Sequence, residues 1–266
     1  MMESSALRNY AGEAAIITGG ASGLGFATAK QLSKDGIKVA IFDLNEEAGR
    51  GAAEQLGGVF CKVDVTSTDD VEKGFAKARA AHGQERIFVN CAGKGSAMKT
   101  ASRDRNTGQI NHHDIAAFET IVNLNLVATF RCTAMASAGM MSLEPLSEGE
   151  RGVITNTASI AAQEGQVGQV AYSAAKAGIA GMTLTIARDL AKEGIRINTI
   201  LPGVFLTPPL ERAPEKVVNG LKAATLFPKR LGAPEEFADL VATLIRNGYF
   251  NGQTIRLDGG TRMPPR

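Results

Sequence analysis

The feature that most constrains the fold is a strand, a glycine loop and a helix near the start of the chain. An apolar run begins at Ala14, the segment TGGASGLG follows at residues 18–25, and the helical sequence FATAKQLSKDG comes next. Glycines let the backbone turn tightly, and a helix N-terminus offers free N–H groups to a pyrophosphate. The spacing is TGxxxGxG rather than the commoner GxGxxG. A glycine-rich turn also suits a plain connection between a strand and a helix.

The rest of the chain repeats this alternation of strand and helix. Helical stretches separate six further apolar runs, which are IKVAIFD, GVFCKVDV, RIFVNCAG, GVITNTAS, IRINTIL and GQTIRLDGG. We therefore predict a single-domain α/β Rossmann fold over residues 1–266, a doubly wound parallel sheet of about seven strands with helices on both faces. Right-handed crossovers put the carboxyl ends of the strands at one edge, where open α/β sheets bind their ligands.

Composition restricts the class of partner. The chain has 266 residues, with 29 basic and 27 acidic side chains, a net charge of +2 and no long run of one sign, so neither nucleic acid nor an anionic membrane is expected as a partner. No apolar run approaches the roughly 20 residues of a membrane span, and no signal or transit peptide is visible at the start. The three cysteines lack CxxC spacing and fit free thiols, so we expect a cytoplasmic protein. The three histidines have no cysteine or acidic cluster beside them, and no metal site is expected.

Asp43 ends the second predicted strand, about 20 residues beyond the glycine loop. A carboxylate there accepts hydrogen bonds from an adenosine ribose and repels a 2′-phosphate. No Arg or Lys stands in the loop or directly after Asp43, which favours NAD over NADP. The alternative is that Asp43 caps the N-terminus of the following helix.

Later strand ends supply further candidate cofactor contacts. Asp64 and Val65 lie where an adenine ring could rest, and the turn after the fourth strand brings small residues close to a ligand. Pro202 breaks the sixth strand, and residues 204–207 could clamp the nicotinamide amide. Together with the glycine loop, the predicted contacts of this kind are Gly19, Gly23, Gly25, Asp64, Val65, Asn90, Cys91, Ala92, Gly93, Pro202 and Thr207.

Tyr172 and Lys176 are the candidate catalytic pair. They are four residues apart in an alanine-rich segment that should be helical, so their side chains share one helix face. A nearby ammonium group lowers the pKa of a phenol, and such a tyrosine can exchange a proton with a substrate hydroxyl or carbonyl. Ser159 ends the fifth strand, where its hydroxyl could hold the same oxygen. A tyrosine that is merely packed on its helix is the alternative.

Three other features accompany this pair. Asn125 lies among Leu and Val in a predicted long helix from residue 114 to 141, and it either makes a structural hydrogen bond or holds a water near Lys176. Residues 94–113 form a polar insert, which is either a flexible loop or a rim of the substrate site. Residues 208–228 hold four prolines and one short amphipathic helix, and we expect a mobile lid.

This set of motifs resembles the short-chain dehydrogenase/reductase family. TGxxxGxG at residues 18–25, NCAG at residues 90–93, Ser159 and YxxxK at residues 172–176 occur in the order and spacing of that family. The resemblance implies hydride transfer between a substrate carbon and a nicotinamide. It also assigns a fourth catalytic role to Asn125 rather than to the nearby Asn123.

A narrower resemblance is to the type 2 3-hydroxyacyl-CoA dehydrogenases, also called type 10 17β-hydroxysteroid dehydrogenases. It rests on stretches such as NTASIAAQEGQVGQVAYSAAKAGIAGMTL and IRLDGGTRM. It implies an NAD-dependent homotetramer that acts on short or branched 3-hydroxyacyl-CoA esters. The implied cofactor contacts include Ser22, Leu24, Asp43, Asp64, Val65, Cys91, Tyr172, Lys176, Phe205 and Thr207, and the implied substrate contacts are Ser159, Gln166 and Tyr172.

Other functions of the same fold remain open at this stage. One is a 3-oxoacyl-carrier-protein or acetoacetyl-CoA reductase, which usually prefers NADPH, and another is a hydroxysteroid dehydrogenase. A third is a non-catalytic dinucleotide-binding subunit, which an intact set of catalytic residues argues against. A comparison of cofactors and a panel of alcohol and acyl-CoA substrates separate these functions.

Overall fold

The computed structural model describes residues 7–265, and its centre is a seven-stranded parallel sheet. The strands are β1 Ala14–Thr18, β2 Lys38–Asp43, β3 Val59–Lys62, β4 Glu85–Asn90, β5 Ala101–Arg103, β6 Ile110–His112, β7 Gly152–Thr157, β8 Ile195–Pro202 and β9 Thr254–Leu257. The sheet order is β3-β2-β1-β4-β7-β8-β9, and every neighbouring pair in it is parallel. The predicted seven-stranded sheet is confirmed.

Helices cover both faces of this sheet. They are α1 Gly23–Lys34, α2 Glu46–Leu56, α3 Thr68–His82, α4 Ile115–Val122, α5 Ala128–Met140, α6 Val170–Leu190, α7 Pro208–Glu211, α8 Glu215–Ala224 and α9 Pro234–Arg246. Side chains of α1, α2 and α9 pack in one apolar core, and those of α3, α5 and α6 pack in a second. Consecutive residues of β1 belong to opposite cores, since Ile16 joins one and Ile17 the other. The doubly wound α/β architecture is confirmed.

The predicted helix over residues 114–141 is present, but it contains a wide turn. A π-helical turn, Asn123–Val127, joins α4 to α5 and holds Asn125 at its centre. Among the described residues, Ile115–Met140 has the length and apolar composition of a possible membrane span, by those two criteria alone. In the fold it flanks the sheet, because α5 lies on β4 and α4 lies on α6.

The insert over residues 94–113 is more ordered than its composition suggests. It contains an antiparallel hairpin of β5 and β6, with Ala101 opposite His112. The hairpin turn is closed by Asp104, whose carboxylate accepts hydrogen bonds from the backbone of Asn106 at 2.9 Å and of Thr107 at 2.7 Å. The sequence did not predict this hairpin, because both strands have only three residues and all of them are exposed, so no alternation of apolar and polar residues marks them.

The lid over residues 208–228 differs from its prediction in one respect. It carries two helices, α7 and α8, where the sequence indicated one. Neither helix contains a buried residue. Such a segment buries little apolar surface, which is the condition under which local motion is cheap.

A buried ionic cluster joins the amino ends of the central strands. The Glu150 carboxylate accepts hydrogen bonds from Arg196 at 2.9 and 3.1 Å and from the Tyr10 hydroxyl, and it pairs with Arg8 at 2.6 Å. Arg196 also donates to backbone carbonyls at the end of α9, including that of Leu244 at 2.8 Å. Burial, followed by the charge of Glu150, raises the pKa of Tyr10. The cluster lies at the edge of the sheet opposite the carboxyl ends of the strands and therefore has a structural role.

Candidate active site

A cleft of about 400 Å³ opens at the carboxyl edge of the sheet, between β1 and β4. The strand order reverses at this point, which is where doubly wound sheets bind ligands. Predicted cofactor residues line it, namely Gly19, Ser22, Gly23, Leu24, Gly25, Asp43, Val65, Cys91, Ala92, Gly93 and Thr207. Sequence reasoning missed Phe42, Leu44, Val63, Leu124, Pro208 and Pro209, which are apolar residues at strand ends or on helices beside the cleft.

The glycine loop fits the phosphates of a dinucleotide. Gly19 has φ +65°, and a Cβ there would lie 2.8 Å from the backbone nitrogen of Ala92. A side chain at Gly25 would overlap the carbonyl oxygen of Gly19. Ser22, the N-cap of α1, makes no capping hydrogen bond with its side chain, whereas Asn45 and Ser67 cap the next two helices. The first N–H groups of α1 are therefore free to bind an anion.

Asp43 supports the floor of this loop. Its Oδ2 accepts a hydrogen bond from Ala21 N at 3.1 Å, and its Oδ1 accepts one from Asn45 N at 3.0 Å. The cap of α2 is Asn45, which accepts from Ala48 N at 3.1 Å, so the capping alternative for Asp43 is wrong. Among the described residues that line the cleft there is no lysine or arginine to hold a 2′-phosphate.

Six predicted cofactor contacts lie outside the cleft lining, namely Tyr172 and Lys176, which are described below, and Asp64, Asn90, Pro202 and Phe205. Asp64 accepts hydrogen bonds from Thr66 N and Oγ1 at 2.8 and 2.7 Å, so its carboxylate stabilises its own turn. Asn90 is buried and donates to Asn156 Oδ1 at 2.8 Å, because side chains alternate along a strand and this one points into the core. Pro202 is buried at the end of β8, and Phe205 lines a separate cavity of about 180 Å³ beneath the lid.

Gly93 connects the cleft with the candidate catalytic residues. A Cβ at Gly93 would lie 3.4 Å from Lys176 Nζ and 2.6 Å from Asn125 Oδ1. Lys176 is buried on α6, donates to the carbonyl of Thr157 at 2.8 Å, and has its Nζ 5.6 Å from the ring centroid of Tyr172. The absence of a side chain at Gly93 therefore brings the cleft up to the lysine and the asparagine.

Ser159 and Tyr172 face each other across the end of β7. Ser159 is the N-cap of a 3₁₀ turn, Ile160–Ala162, and its Oγ accepts from Ala161 N at 3.1 Å. A hydrogen bond with Ser159 lowers the pKa of Tyr172, yet the burial of the phenol has the larger effect and raises the pKa overall. The position of Ser159 at the end of β7 thus brings its hydroxyl next to the phenol of Tyr172.

Lys176 is not among the groups that shift the pKa of Tyr172, contrary to the expectation that it acidifies this phenol. Burial raises the pKa of the phenol, and Ser159 provides the opposing effect. Burial also lowers the pKa of Lys176 to about 8, while the neighbouring Cys91 works weakly in the other direction. With a pKa of about 8 the lysine still carries its proton at pH 7, and its hydrogen bond goes to the Thr157 carbonyl rather than to the phenol.

Asn125 makes structural hydrogen bonds. Its Nδ2 donates to the carbonyls of Lys94 and Ile121, both at 3.0 Å, and its Oδ1 accepts from Lys94 N at 3.3 Å. The side chain is fully buried, whereas Asn123 is half-exposed. Asn125 thus ties the π turn to the start of the insert, and π turns are often found at functional sites. A water held by Asn125 stays a prediction.

A second opening, of about 630 Å³, lies beside the 3₁₀ turn that follows Ser159 and the start of α6. Gln166 lines it, together with Lys99 and Thr100 of the insert and Pro265 of the C-terminal tail. The insert therefore lies at the rim of this opening, and its role as a rim of the substrate site stays a prediction. The tail was not anticipated, because its contacts join residues about 100 positions apart.

Cys91 lines the cofactor cleft, whereas Cys61 and Cys132 are buried in the core. Cys61, Cys91 and Cys132 are free thiols, and burial raises the pKa of Cys91 to about 11. Within residues 7–265, no three His, Cys, Asp or Glu side chains gather in a way that could hold a metal ion.

Comparisons with known proteins agree with this geometry. The family model described as short chain dehydrogenase matches residues 13–217. The chain is 48% identical to a 3-hydroxyacyl-CoA dehydrogenase type-2 of Homo sapiens over 98% of this chain and 99% of the relative. A protein of the same name from Drosophila melanogaster is 47% identical over 94% of this chain and 97% of the relative.

Two solved structures have the same fold. A 3-hydroxyacyl-CoA dehydrogenase type-2 from Mycobacterium avium superposes with a TM-score of 0.90 at 43% identity, covering 96% of this chain and 98% of the other. A 7α-hydroxysteroid dehydrogenase complexed with NADH and 7-oxo glycochenodeoxycholic acid superposes with a TM-score of 0.84 at 27% identity, over 100% of both chains. The chain belongs to the short-chain dehydrogenase family and is an oxidoreductase.

Proposed function

We propose that this oxidoreductase is NAD-dependent and interconverts a short or branched 3-hydroxyacyl-CoA and its 3-oxoacyl-CoA. The observation that carries the proposal is the position of Tyr172, Ser159 and Lys176 next to Gly93, at the end of a cleft that has free helix N–H groups and Asp43 in its lining. Relatives named 3-hydroxyacyl-CoA dehydrogenase type-2 match nearly the whole chain and support the choice of substrate.

The residues present fit NAD. Free N–H groups at the start of α1 would hold the pyrophosphate, and Asp43 would accept hydrogen bonds from the adenosine ribose. Lys176 uses one of its three N–H donors on Thr157, so two remain for the second ribose. When bound, the dinucleotide supplies the hydride donor or acceptor for the reaction.

The protein's part in the chemistry is to hold the substrate and to move a proton. Ser159 donates a hydrogen bond to the substrate oxygen and fixes its position beside Tyr172. In reduction, the phenol of Tyr172 donates its proton to that oxygen, and in oxidation the phenolate form takes the hydroxyl proton. Since burial raises the pKa of Tyr172, the phenol is protonated at neutral pH and ready for reduction. Asn125 holds the insert against the π turn and would anchor the water that returns the proton to solvent.

A steroid or bile-acid substrate is the second candidate, because the 7α-hydroxysteroid dehydrogenase has the same fold over the full chain. An NADH-consumption assay with acetoacetyl-CoA, 2-methylacetoacetyl-CoA and a ketosteroid in parallel separates the two. We expect the acyl-CoA esters to have the higher kcat/KM. A higher value for the steroid would overturn the substrate assignment, and a preference for NADPH would favour a reductase of the carrier-protein type.

Oligomeric state and location complete the proposal. The helix Ile115–Met140 exposes Ile115, Val127 and Phe130, and α6 exposes Val170 and Leu184, which suits burial between copies in a homotetramer. Light scattering should then give four times the 27.9 kDa of one chain, and the mass of a single chain would contradict this.

Free thiols suit the reducing cytoplasm, where we place the protein, and cell fractionation tests that placement.

A further inference from the structure

The segment over residues 160–169 carries the substrate side of the site but has little secondary structure of its own. It connects Ser159 to helix α6, and beyond the 3₁₀ turn Ile160–Ala162 it is irregular until α6 begins at Val170. Gln166 lies in this stretch and lines the substrate-side opening. Contacts from elsewhere in the chain must therefore fix its position.

The C-terminal tail, residues 258–265 after β9, supplies those contacts. Gln166 Nε2 donates to the carbonyl of Pro264 at 3.1 Å, and Val167 N donates to the carbonyl of Pro265 at 3.0 Å. In the opposite direction, Met263 N donates to Glu164 Oε2 at 3.1 Å. Three successive residues of the tail thus bind three residues of the substrate segment, one through a backbone–backbone hydrogen bond and two through the side chains of Glu164 and Gln166.

Glu164 is the charged centre of this contact. Its carboxylate pairs with Arg256 of β9 at 3.1 Å and with Arg262 of the tail at 3.3 Å. Arg256 also pairs with Asp258 at 2.6 Å and donates to the carbonyl of Thr261 at 2.9 Å, so it is held in place. The pKa of Glu164 is lowered because the Met263 N–H and the two arginines outweigh the effect of burial.

The same tail also contacts the end of the lid. Leu226 N and Phe227 N both donate to the carbonyl of Gly259 at 3.1 Å, and the hydroxyl of Thr261 lies 3.4 Å from that of Thr225. The tail therefore lies between the C-terminal end of the lid, at residues 225–227, and the segment that carries Gln166. Glu164 and the tail together hold the segment that lines the substrate-side opening. Other residues line the dinucleotide cleft, and among the described residues none of them belongs to the tail.

We propose that Glu164 is a positioning residue for the acyl substrate, which it serves by clamping the C-terminal tail onto the segment that carries Gln166. This rests on the proposed function, in which that opening receives the acyl group. The clamp acts on the binding of the substrate, because the hydrogen bonds and ion pairs of Glu164 go to Arg256, Arg262 and Met263, and no tail residue is among those that line the cofactor cleft in the described part of the chain.

The test compares Glu164→Gln with Glu148→Gln, which removes a carboxylate paired with Arg8 at 2.8 Å at the opposite edge of the sheet. In Glu164→Gln we expect the KM for acetoacetyl-CoA to rise roughly fivefold, which corresponds to about 1 kcal/mol. The kcat and the KM for NADH should stay within about twofold, and Glu148→Gln should match the wild type. A uniform loss of kcat and of both KM values would show a general structural role and overturn the proposal, as would an unchanged KM for the acyl substrate.

Hydrogen exchange separates a failure of this inference from a failure of the proposed function. In Glu164→Gln, the amides of Val167 and Met263 should exchange several times faster than in the wild type, with or without any turnover. If the wild type does not reduce acetoacetyl-CoA, the substrate assignment fails while this measurement still tests the clamp. Unchanged exchange at both amides would overturn the clamp whatever the enzyme reduces.

Discussion

The buried ammonium group of Lys176 makes the protein less stable, and removing it should stabilise the fold. Burial lowers the pKa of Lys176 from 10.5 to about 8, and the side chain is only 4% exposed. Each pKa unit corresponds to about 1.4 kcal/mol, so a shift of this size costs about 3 kcal/mol at pH 7. Replacing Lys176 with Met leaves the Thr157 carbonyl without its donor, which costs about 1 kcal/mol. Lys176→Met should therefore be about 2 kcal/mol more stable than the wild type at pH 7 and should have no turnover.

The pH dependence gives this prediction its sharpest form. Between the folded pKa of about 8 and the unfolded value of 10.5, the unfolded chain binds the extra proton, so the stability of the wild type rises with pH in that window. The advantage of Lys176→Met should accordingly shrink by about 2 kcal/mol between pH 7 and pH 9.5. Equilibrium urea unfolding at equal protomer concentration measures it. The matched control is Lys192→Met, at an exposed lysine, which should show no such dependence. A difference between Lys176→Met and the wild type that does not change with pH would refute the reasoning.

Two further variants test other parts of the structure. Asp43→Ala should relax the preference for NAD over NADP, because the carboxylate that would repel a 2′-phosphate is gone; an unchanged ratio of kcat/KM for the two cofactors would contradict that role. Glu150→Gln should lower the free energy of unfolding by about 3 kcal/mol, since Arg196 keeps its buried charge and loses its partner, while kcat stays near the wild-type value. An unfolding free energy equal to that of the wild type would show that the buried cluster is not structural.

The sheet and the strand-end residues could be predicted because their signals are local. Apolar runs such as the one ending at Thr18 are continuous in sequence, and parallel topology then brings their carboxyl ends together. That argument found the glycine loop, Asp43 and Ser159 without any knowledge of distances. It also predicted that Tyr172 and Lys176 share a helix face, since the spacing alone requires it.

The sequence could not predict the direction in which a side chain points from a strand end or the depth at which a side chain is buried. A strand end brings a residue to the site but does not decide the face, so Asn90 points into the core while Cys91 lines the cleft. The π turn around Asn125 interrupts the long helix between α4 and α5, and no residue type in NLNLV predicts it. The pKa of Tyr172 is set by how deeply the phenol is buried, and four-residue spacing carries no information about that.

Turnover by Tyr172→Phe tests the central claim, which is that this phenol exchanges the proton with a substrate bound beside the dinucleotide cleft. The measurement is NADH consumption with acetoacetyl-CoA, paired with fluorescence titration of NADH into the same variant. We expect NADH affinity equal to that of the wild type and a loss of turnover of at least about 100-fold, because the acid that donates the proton is missing. A Tyr172→Phe variant that binds NADH and turns over at the wild-type rate would contradict the account.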